Sequence, residues 1–280
     1  MAADQGVIAR RARLALLLVP PLAWLTIAYL GSLAVLLVSA FWSTDSFTGA
    51  VTRTVTTDNL VRVLTDAVFR AVTLRTLGIA VAVTVICIVL SVPLALFMAK
   101  VASPRVRLLL VVAVTTPLWA SYLVKAYAWR VLLSPEGPLA WATGGTPGYG
   151  LTATVITLSY LWLPYMVIPV FAAFERVPDT LLDASADLGA SDATTLRTVM
   201  APLVFPGIAA GSIFTFSLSL GDYIAVTIVG GKTQMLGNLI YGQLVTANNQ
   251  PLAAALSLIP LVAIVAYLLA MRRTGALENV

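Results

Sequence analysis

The 280-residue chain has no histidine, a single cysteine and few charged residues, which make up 10% of the total. Without His there is no His-based zinc site, no imidazole-dependent Ser or Cys triad, and no His proton relay. Cys87 has no second thiol to pair with inside the chain and sits mid-way along an apolar run, so it reads as a small packing residue. Strand-like alternation is also missing, which argues against an outer-membrane barrel. A soluble domain of this size would be about a quarter charged. In place of charge there is apolar material: 60% of residues are hydrophobic and the mean hydropathy is +0.96.

That material falls into six blocks near the span length of about 20 residues. They cover 14–41, 72–99, 108–133, 151–174, 203–229 and 251–271. Backbone groups in lipid must bond internally, so each block reads as a helix. Lys125 and Arg130 lie in the third block and Asp222 in the fifth. No internal repeat is visible, and 1–280 reads as one transmembrane domain.

Positive charge sets the orientation. Arg10, Arg11, Arg13, Lys100, Arg105, Arg107, Arg176, Arg197, Arg272 and Arg273 fall on one side; Arg53, Arg62 and Lys232 fall on the other. Both termini are therefore expected in the cytoplasm. The net charge of +5 is an orientation signal and not a nucleic-acid footprint. The first block far exceeds a signal-peptide core of about 7–15 residues, so it is expected to stay uncleaved despite Val38-Ser39-Ala40.

The connections differ in kind. Thr57-Asp58-Asn59 reads as an N-cap cluster before Leu60, Val63, Leu64 and Val68 at helical spacing. The helix they form lies on the outer surface or packs on protein; the pattern fits both. Residues 134–138 and 144–148 are turn clusters.

The fourth connection, 178–202, reads as a short helix-turn-helix. Asp179 is placed to cap a helix over Thr180 to Leu188, Gly189 suits a left-handed closing position, and Ser191 is placed to cap a second helix. Leu181, Leu182, Ala184, Ser185 and Leu188 are expected on one small or apolar face. Such a face needs a cover, supplied either by the protein's own helices or by another protein.

Asp183-Ala184-Ser185, three residues, Gly189, nine residues, then Val199-Met200-Ala201-Pro202 resembles the Glu-Ala-Ala signature of binding-protein-dependent ABC importer permeases. Asp, Ser, Val and Ala replace that signature's Glu, Ala, Ile and Leu, and the spacing matches throughout. Ser121 to Tyr127, Leu132 to Ser134 and Leu163 to Pro169 resemble the spermidine/putrescine subgroup, although sulfate, molybdate, iron and phosphonate permeases share parts of them.

The resemblance implies an all-α integral membrane fold of the type I ABC importer permease kind, with six transmembrane helices and a cytoplasmic coupling helix-turn-helix between spans four and five. It implies a multi-pass subunit of the bacterial inner membrane. Its partners would be ABC ATPase subunits, a second homologous permease subunit and an extracytoplasmic solute-binding protein. The coupling residues would be Asp183, Ala184, Ser185, Gly189 and Pro202. Ala184 and Ser185 would permit close approach, while Asp183 would pair with an ATPase cation or cap locally. No catalytic, metal or cofactor residue is expected on this chain; ATP and Mg belong to the partner. Gly230-Gly231-Lys232-Thr233 has the tail of a P-loop, but Val226 stands where the motif needs Gly.

For the solute pathway the candidates are Asp222, Tyr223, Ser219 and Lys125. An intramembrane carboxylate favours a cation and a tyrosine ring attracts ammonium groups; the subgroup resemblance implies that the cation is a polyamine. Against that, Lys125 and Arg130 would repel a cation unless they snorkel or pair with Asp222 or Glu136. Asp222 also has a plainer reading, an interfacial carboxylate bonded to water or backbone. The rival function class is an ion-coupled secondary transporter, in which Asp222 would be the coupling carboxylate and 178–202 would lack a task. Gly207 and Gly211 offer a close-packing face in span five, either within the chain or toward another subunit.

Overall fold

The computed structural model describes residues 16–45 and 48–273. Arg10, Arg11 and Arg13, and the first two residues of the expected first span, lie outside the described residues, as does the side chain of Arg273.

A long helix α1 (Leu16–Ser39) leads into a small antiparallel hairpin, β1 (Ser43–Thr44) with β2 (Val51–Thr52). Next come α2 (Asp58–Thr65), α3 (Ala67–Val101), α4 (Pro104–Trp119), α5 (Tyr122–Leu132) and α6 (Pro138–Thr143). The chain continues through α7 (Leu151–Glu175), α8 (Asp179–Asp187), α9 (Asp192–Leu220), α10 (Ile224–Val229), α11 (Leu236–Tyr241) and α12 (Gln250–Arg273). Among the described residues, α1, α3, α7, α9 and α12 are each long and apolar enough to cross a membrane, and α4 with α5 makes a sixth if that bent pair is one span.

Two expected spans are interrupted. The third is bent by 100° between α4 and α5, where Ala120 and Ser121 turn extended behind Pro117. A proline removes one ladder donor and crowds the preceding turn, which weakens the helix there. The fifth span ends at Leu220, and α10 restarts after Gly221, Asp222 and Tyr223.

The bundle centres on α3, α7 and α9. Ile79, Val83 and Cys87 of α3 pack with Leu158, Leu161 and Val170 of α7 and Val204 of α9. Lipid tails are as apolar as Leu, so shape and small residues draw such helices together. A Cβ built on Gly207 would lie 2.5 Å from the Ala173 Cβ and 2.7 Å from the Pro169 carbonyl oxygen; one on Gly211 would lie 2.6 Å from the Met166 sulfur. The glycine pair is therefore used within the chain, between α9 and α7. Cys87 is fully buried, with its sulfur 3.5 Å from the Ser159 carbonyl oxygen.

The helix expected over Leu60 to Val68 divides at Asp66, whose carboxylate accepts the Val68 N–H (2.7 Å) and caps α3. Thr57 makes no side-chain cap. Instead the Asn59 amide donates to the Trp42 carbonyl (2.7 Å), and Val63 packs with Phe69, Leu252 and Leu256. Of the two readings left open for α2, its buried side is covered by the chain itself.

Candidate functional site

The helix-turn-helix forms where expected, with a different division of labour among its residues. Gly189 has φ +75°, the left-handed conformation in which a Cβ is strained. It closes α8 with its N–H on the Ala186 carbonyl (2.8 Å) and is open to its surroundings, with no atom within 4 Å of a Cβ placed there. Ser191 accepts the Thr194 N–H and so caps the following helix. Asp179 makes no cap of its own. It lies in the first turn of α8, where its carboxylate takes the Lys100 ammonium at 2.7 Å. The bonded ammonium holds the Asp179 carboxyl below the usual carboxylate range.

The expected single face of α8 splits in two. Leu182 and Ser185 turn inward, and the Ser185 hydroxyl sits 2.8 Å from that of Thr195 across the turn. Leu181, Asp183, Ala184 and Leu188 turn outward, Leu188 with 89% of its surface exposed. Ser185 therefore fixes the shape of the hairpin and does not line its outer surface. Pro202 is exposed about three turns into α9, beside a cavity of about 410 Å³ between α7 and α9 that Arg176 and Gly207 also line.

At the other end of α9 the two helix interruptions meet. Asp222, 7% exposed, lies in the break after α9 and accepts the hydroxyl of Tyr122, the first residue after the break in the third span. Its other carboxylate oxygen accepts the Ala225 N–H (3.0 Å) at the start of α10. Beside this pair is a pocket of about 310 Å³ lined by Tyr122, Trp162, Ser217, Gly221, Asp222 and Tyr223. Tyr122 and Trp162 are stacked with ring centroids 5.9 Å apart, and Tyr223 stacks on Tyr241 at 5.1 Å.

Lys125 and Arg130 stand apart from it. The Lys125 ammonium donates to the Pro117 carbonyl (3.0 Å), closing the broken end of α4. It borders a separate cavity with Val124, Trp129 and Tyr160. Arg130 donates to the Ile228 carbonyl and lies over the Tyr149 ring (4.9 Å). Neither takes Asp222 or Glu136 as a partner, as the sequence had allowed; both donate to carbonyls in the last turn of a helix, where acceptor capacity is left over. Ser219 is fully buried and does not line the pocket, whereas Ser217 does. Sequence reasoning passed over Tyr122 and Trp162 as site residues. Trp162 lies inside an apolar block, and nothing local to Tyr122 shows that Asp222 lies opposite. The Gly230 to Thr233 stretch is a turn, with the Thr233 N–H on the Gly230 carbonyl (2.8 Å).

Residues 91–273 match the family model described as binding-protein-dependent transport system inner membrane component. The inner membrane ABC transporter permease protein YdcU of Escherichia coli (strain K12) is 43% identical over 285 aligned residues, 94% of this chain and 90% of that protein. The spermidine/putrescine transport system permease protein PotB of the same organism is 33% identical over 233 residues, 80% of this chain and 84% of that protein. Among solved structures, a bacterial alginate ABC transporter in complex with alginate pentasaccharide-bound periplasmic protein contains a chain of the same fold. Its TM-score is 0.76 at 17% identity, covering 96% of each chain.

Proposed function

The chain belongs to the family of binding-protein-dependent transport system inner membrane components, and on that premise we propose that it carries a polyamine such as spermidine or putrescine into the cytoplasm. It is a non-catalytic, multi-pass permease subunit of an ABC importer of the inner membrane; ATPase subunits and a periplasmic binding protein complete such a system. In our reading a second, homologous permease subunit completes the pathway, both termini face the cytoplasm, and 1–280 acts as one transmembrane domain. The outward side of α8, with Asp183, Ala184 and the Gly189 turn, docks on the ATPase. Ser185 and Pro202 hold that hairpin and its exit in shape. The uncovered Leu181 and Leu188 support this, since an exposed apolar patch outside the bilayer marks a contact surface.

One observation carries the substrate class: a buried carboxylate in the lining of an aromatic pocket that no Lys or Arg side chain lines. A carboxylate attracts an ammonium, and the faces of Tyr122, Trp162 and Tyr223 do so through their ring quadrupoles. Sulfate, molybdate or phosphonate would meet like charge there. Lys125, held on the Pro117 carbonyl, does not oppose a cation in this pocket. Alternating access then follows from ATP-driven movement of α8 and the helices joined to it.

The test is uptake by proteoliposomes holding the complex purified from its native host, with its binding protein supplied outside. Labelled spermidine or putrescine should accumulate only with ATP inside. Accumulation of an anion or neutral solute in place of polyamine refutes the substrate class. Uptake driven by an ion gradient alone refutes the ATP-driven cycle.

A further inference from the structure

Two cations at the end of the bundle that bears α8 have no part in the reading so far. The Lys100 ammonium, on a side chain only 14% exposed, donates to the Val177 carbonyl and to the Asp179 carboxylate, each at 2.7 Å. The Arg107 guanidinium donates to the Met98 and Ala99 carbonyls, both at 2.9 Å, and reaches the Glu175 carboxylate at 3.4 Å. Met98, Ala99 and Lys100 lie in the last, wide turn of α3, and Arg107 in the first turns of α4. Glu175 ends α7, Val177 lies in the link, and Asp179 begins α8. One small cluster therefore ties the α3–α4 junction to the α7–α8 junction, which is far away in sequence.

We propose that Lys100 and Arg107 form a transmission bracket that delivers movement of α8 to α3 and α4. This rests on the docking of α8 described above. Without a bracket, α8 is joined to the bundle by its covalent links to α7 and α9 and by the inward side chains Leu182 and Ser185. The end of α3 also packs there through Ala95 and Ala99 against Phe174 and Val177, but such apolar contacts can slide, whereas directed bonds from Lys100 and Arg107 cannot. The two bonds from Lys100 are unequal. Asp179 is largely exposed, with 78% of its side-chain surface open, and a solvent-screened ion pair holds weakly. The Val177 carbonyl is part-buried and receives a charge-assisted bond, the stronger kind. Lys100 is thus a positioning residue whose main anchor is backbone, and a contiguous chain of contacts of this sort is what carries coupling between sites.

The test uses Lys100→Met, which keeps the aliphatic stem and removes both bonds, and Asp179→Ala, which removes only the exposed one. Each is purified as the assembled complex and reconstituted. Lys100→Met should retain its ATPase subunits at wild-type yield and hydrolyse ATP, while solute transported per ATP falls roughly tenfold. Asp179→Ala should stay close to wild type in that ratio. An unchanged ratio in Lys100→Met overturns the bracket, and so does equal loss in the two variants. Loss of the ATPase from Lys100→Met also overturns it, making Lys100 a docking residue. A second measurement covers a failure to insert: spin labels on Arg105 and Ala186, both exposed and neither given a docking role, report the elbow-to-α8 distance in the otherwise wild-type complex. A distance that stays constant between the nucleotide-free and ATP-trapped states supports a rigid bracket, and a shift of several ångström refutes it. If hydrogen exchange across residues 181–189 is the same with and without the ATPase subunits, the docking reading has failed separately.

Discussion

Gly189 allows the docking assignment to be separated from mere backbone strain. The residue holds φ +75°, and a Cβ there meets no atom of this chain within 4 Å. Alanine at 189 therefore costs only the left-handed penalty, about 1–2 kcal/mol. If the loop relaxes when free and must return to this shape on docking, association weakens by about 5- to 30-fold, at 1.36 kcal/mol per tenfold. Asn and Asp tolerate the left-handed region better than Ala, so strain alone ranks the variants Gly, then Asn and Asp, then Ala. Close approach of a partner gives another order, Gly, then Ala, then Asn and Asp, because bulk and charge now meet a surface. We expect the second order, with Gly189→Asp abolishing ATPase association. The assay is co-purification of the ATPase with tagged permease variants, beside a measure of membrane insertion. Wild-type recovery of the ATPase with an inserted Gly189→Asp permease would refute the docking assignment, and the strain-only order would reduce Gly189 to a turn former.

Asp222→Asn keeps an acceptor for Tyr122 but removes the charge; cation uptake should fall about 10- to 150-fold, from the 1.5–3 kcal/mol of a charged hydrogen bond, with a smaller effect on any neutral solute. Equal effects on both would place Asp222 outside the pathway. Gly207→Ala forces a Cβ against the Pro169 carbonyl and Ala173, and should cost about 1–3 kcal/mol, seen as a lower melting temperature of the solubilised protein; an unchanged melting temperature refutes the close packing. Ser185→Ala and Thr195→Val should each loosen the α8 turn by about 1 kcal/mol, read by hydrogen exchange, and the double variant should be no worse than either, because they share one bond. Asp179 titrates below the usual carboxylate range, so its bond to Lys100 is present above the unfolded value of about 3.9 and is lost as pH falls through the folded one. Coupling between pH 5 and 8 should be insensitive to this pair, and a transition in that window that Asp179→Asn abolishes would contradict the assignment.

Much of the fold is legible in the sequence because lipid leaves the backbone little choice. Blocks of apolar residues must become helices, and the long helices observed fall on them. The turn chemistry is equally local: Gly189 in the left-handed region and Ser191 on the Thr194 N–H follow from residue type and spacing. What departs from the sequence reading depends on partners that residue type and spacing do not name. Asp179 was placed as a cap, yet Lys100, 79 residues away, supplies a better ligand for its carboxylate. Ser185 matched a docking motif, yet Thr195 draws it inward. Apolar runs across Pro117 and Gly221 hid the interruptions, because hydropathy counts composition and takes no account of a missing N–H.

Those interruptions explain each other. A helix broken inside an apolar block leaves carbonyls and N–H groups without ladder partners, tolerable at membrane depth only where protein or a polar cavity meets them. At the first break the Lys125 ammonium joins the Ala120 N–H on the Pro117 carbonyl; at the second the Asp222 carboxylate satisfies the Ala225 N–H. Tyr122 then joins the two across 100 residues of sequence. Neither break is complete alone, since the Tyr122 hydroxyl needs the acceptor at 222 and the buried carboxylate needs donors. Between them they leave a recess with one acidic wall and several aromatic ones. Discontinuous helices are a recurrent way to hold a hydrophilic solute in a bilayer. On this basis Tyr122→Phe should impair transport of a cation less than Asp222→Asn does, because it removes a donor but keeps the charge and the ring. Uptake assays in which Tyr122→Phe proves the more damaging would show that the bond between the breaks, and not the carboxylate's charge, is what the pocket requires.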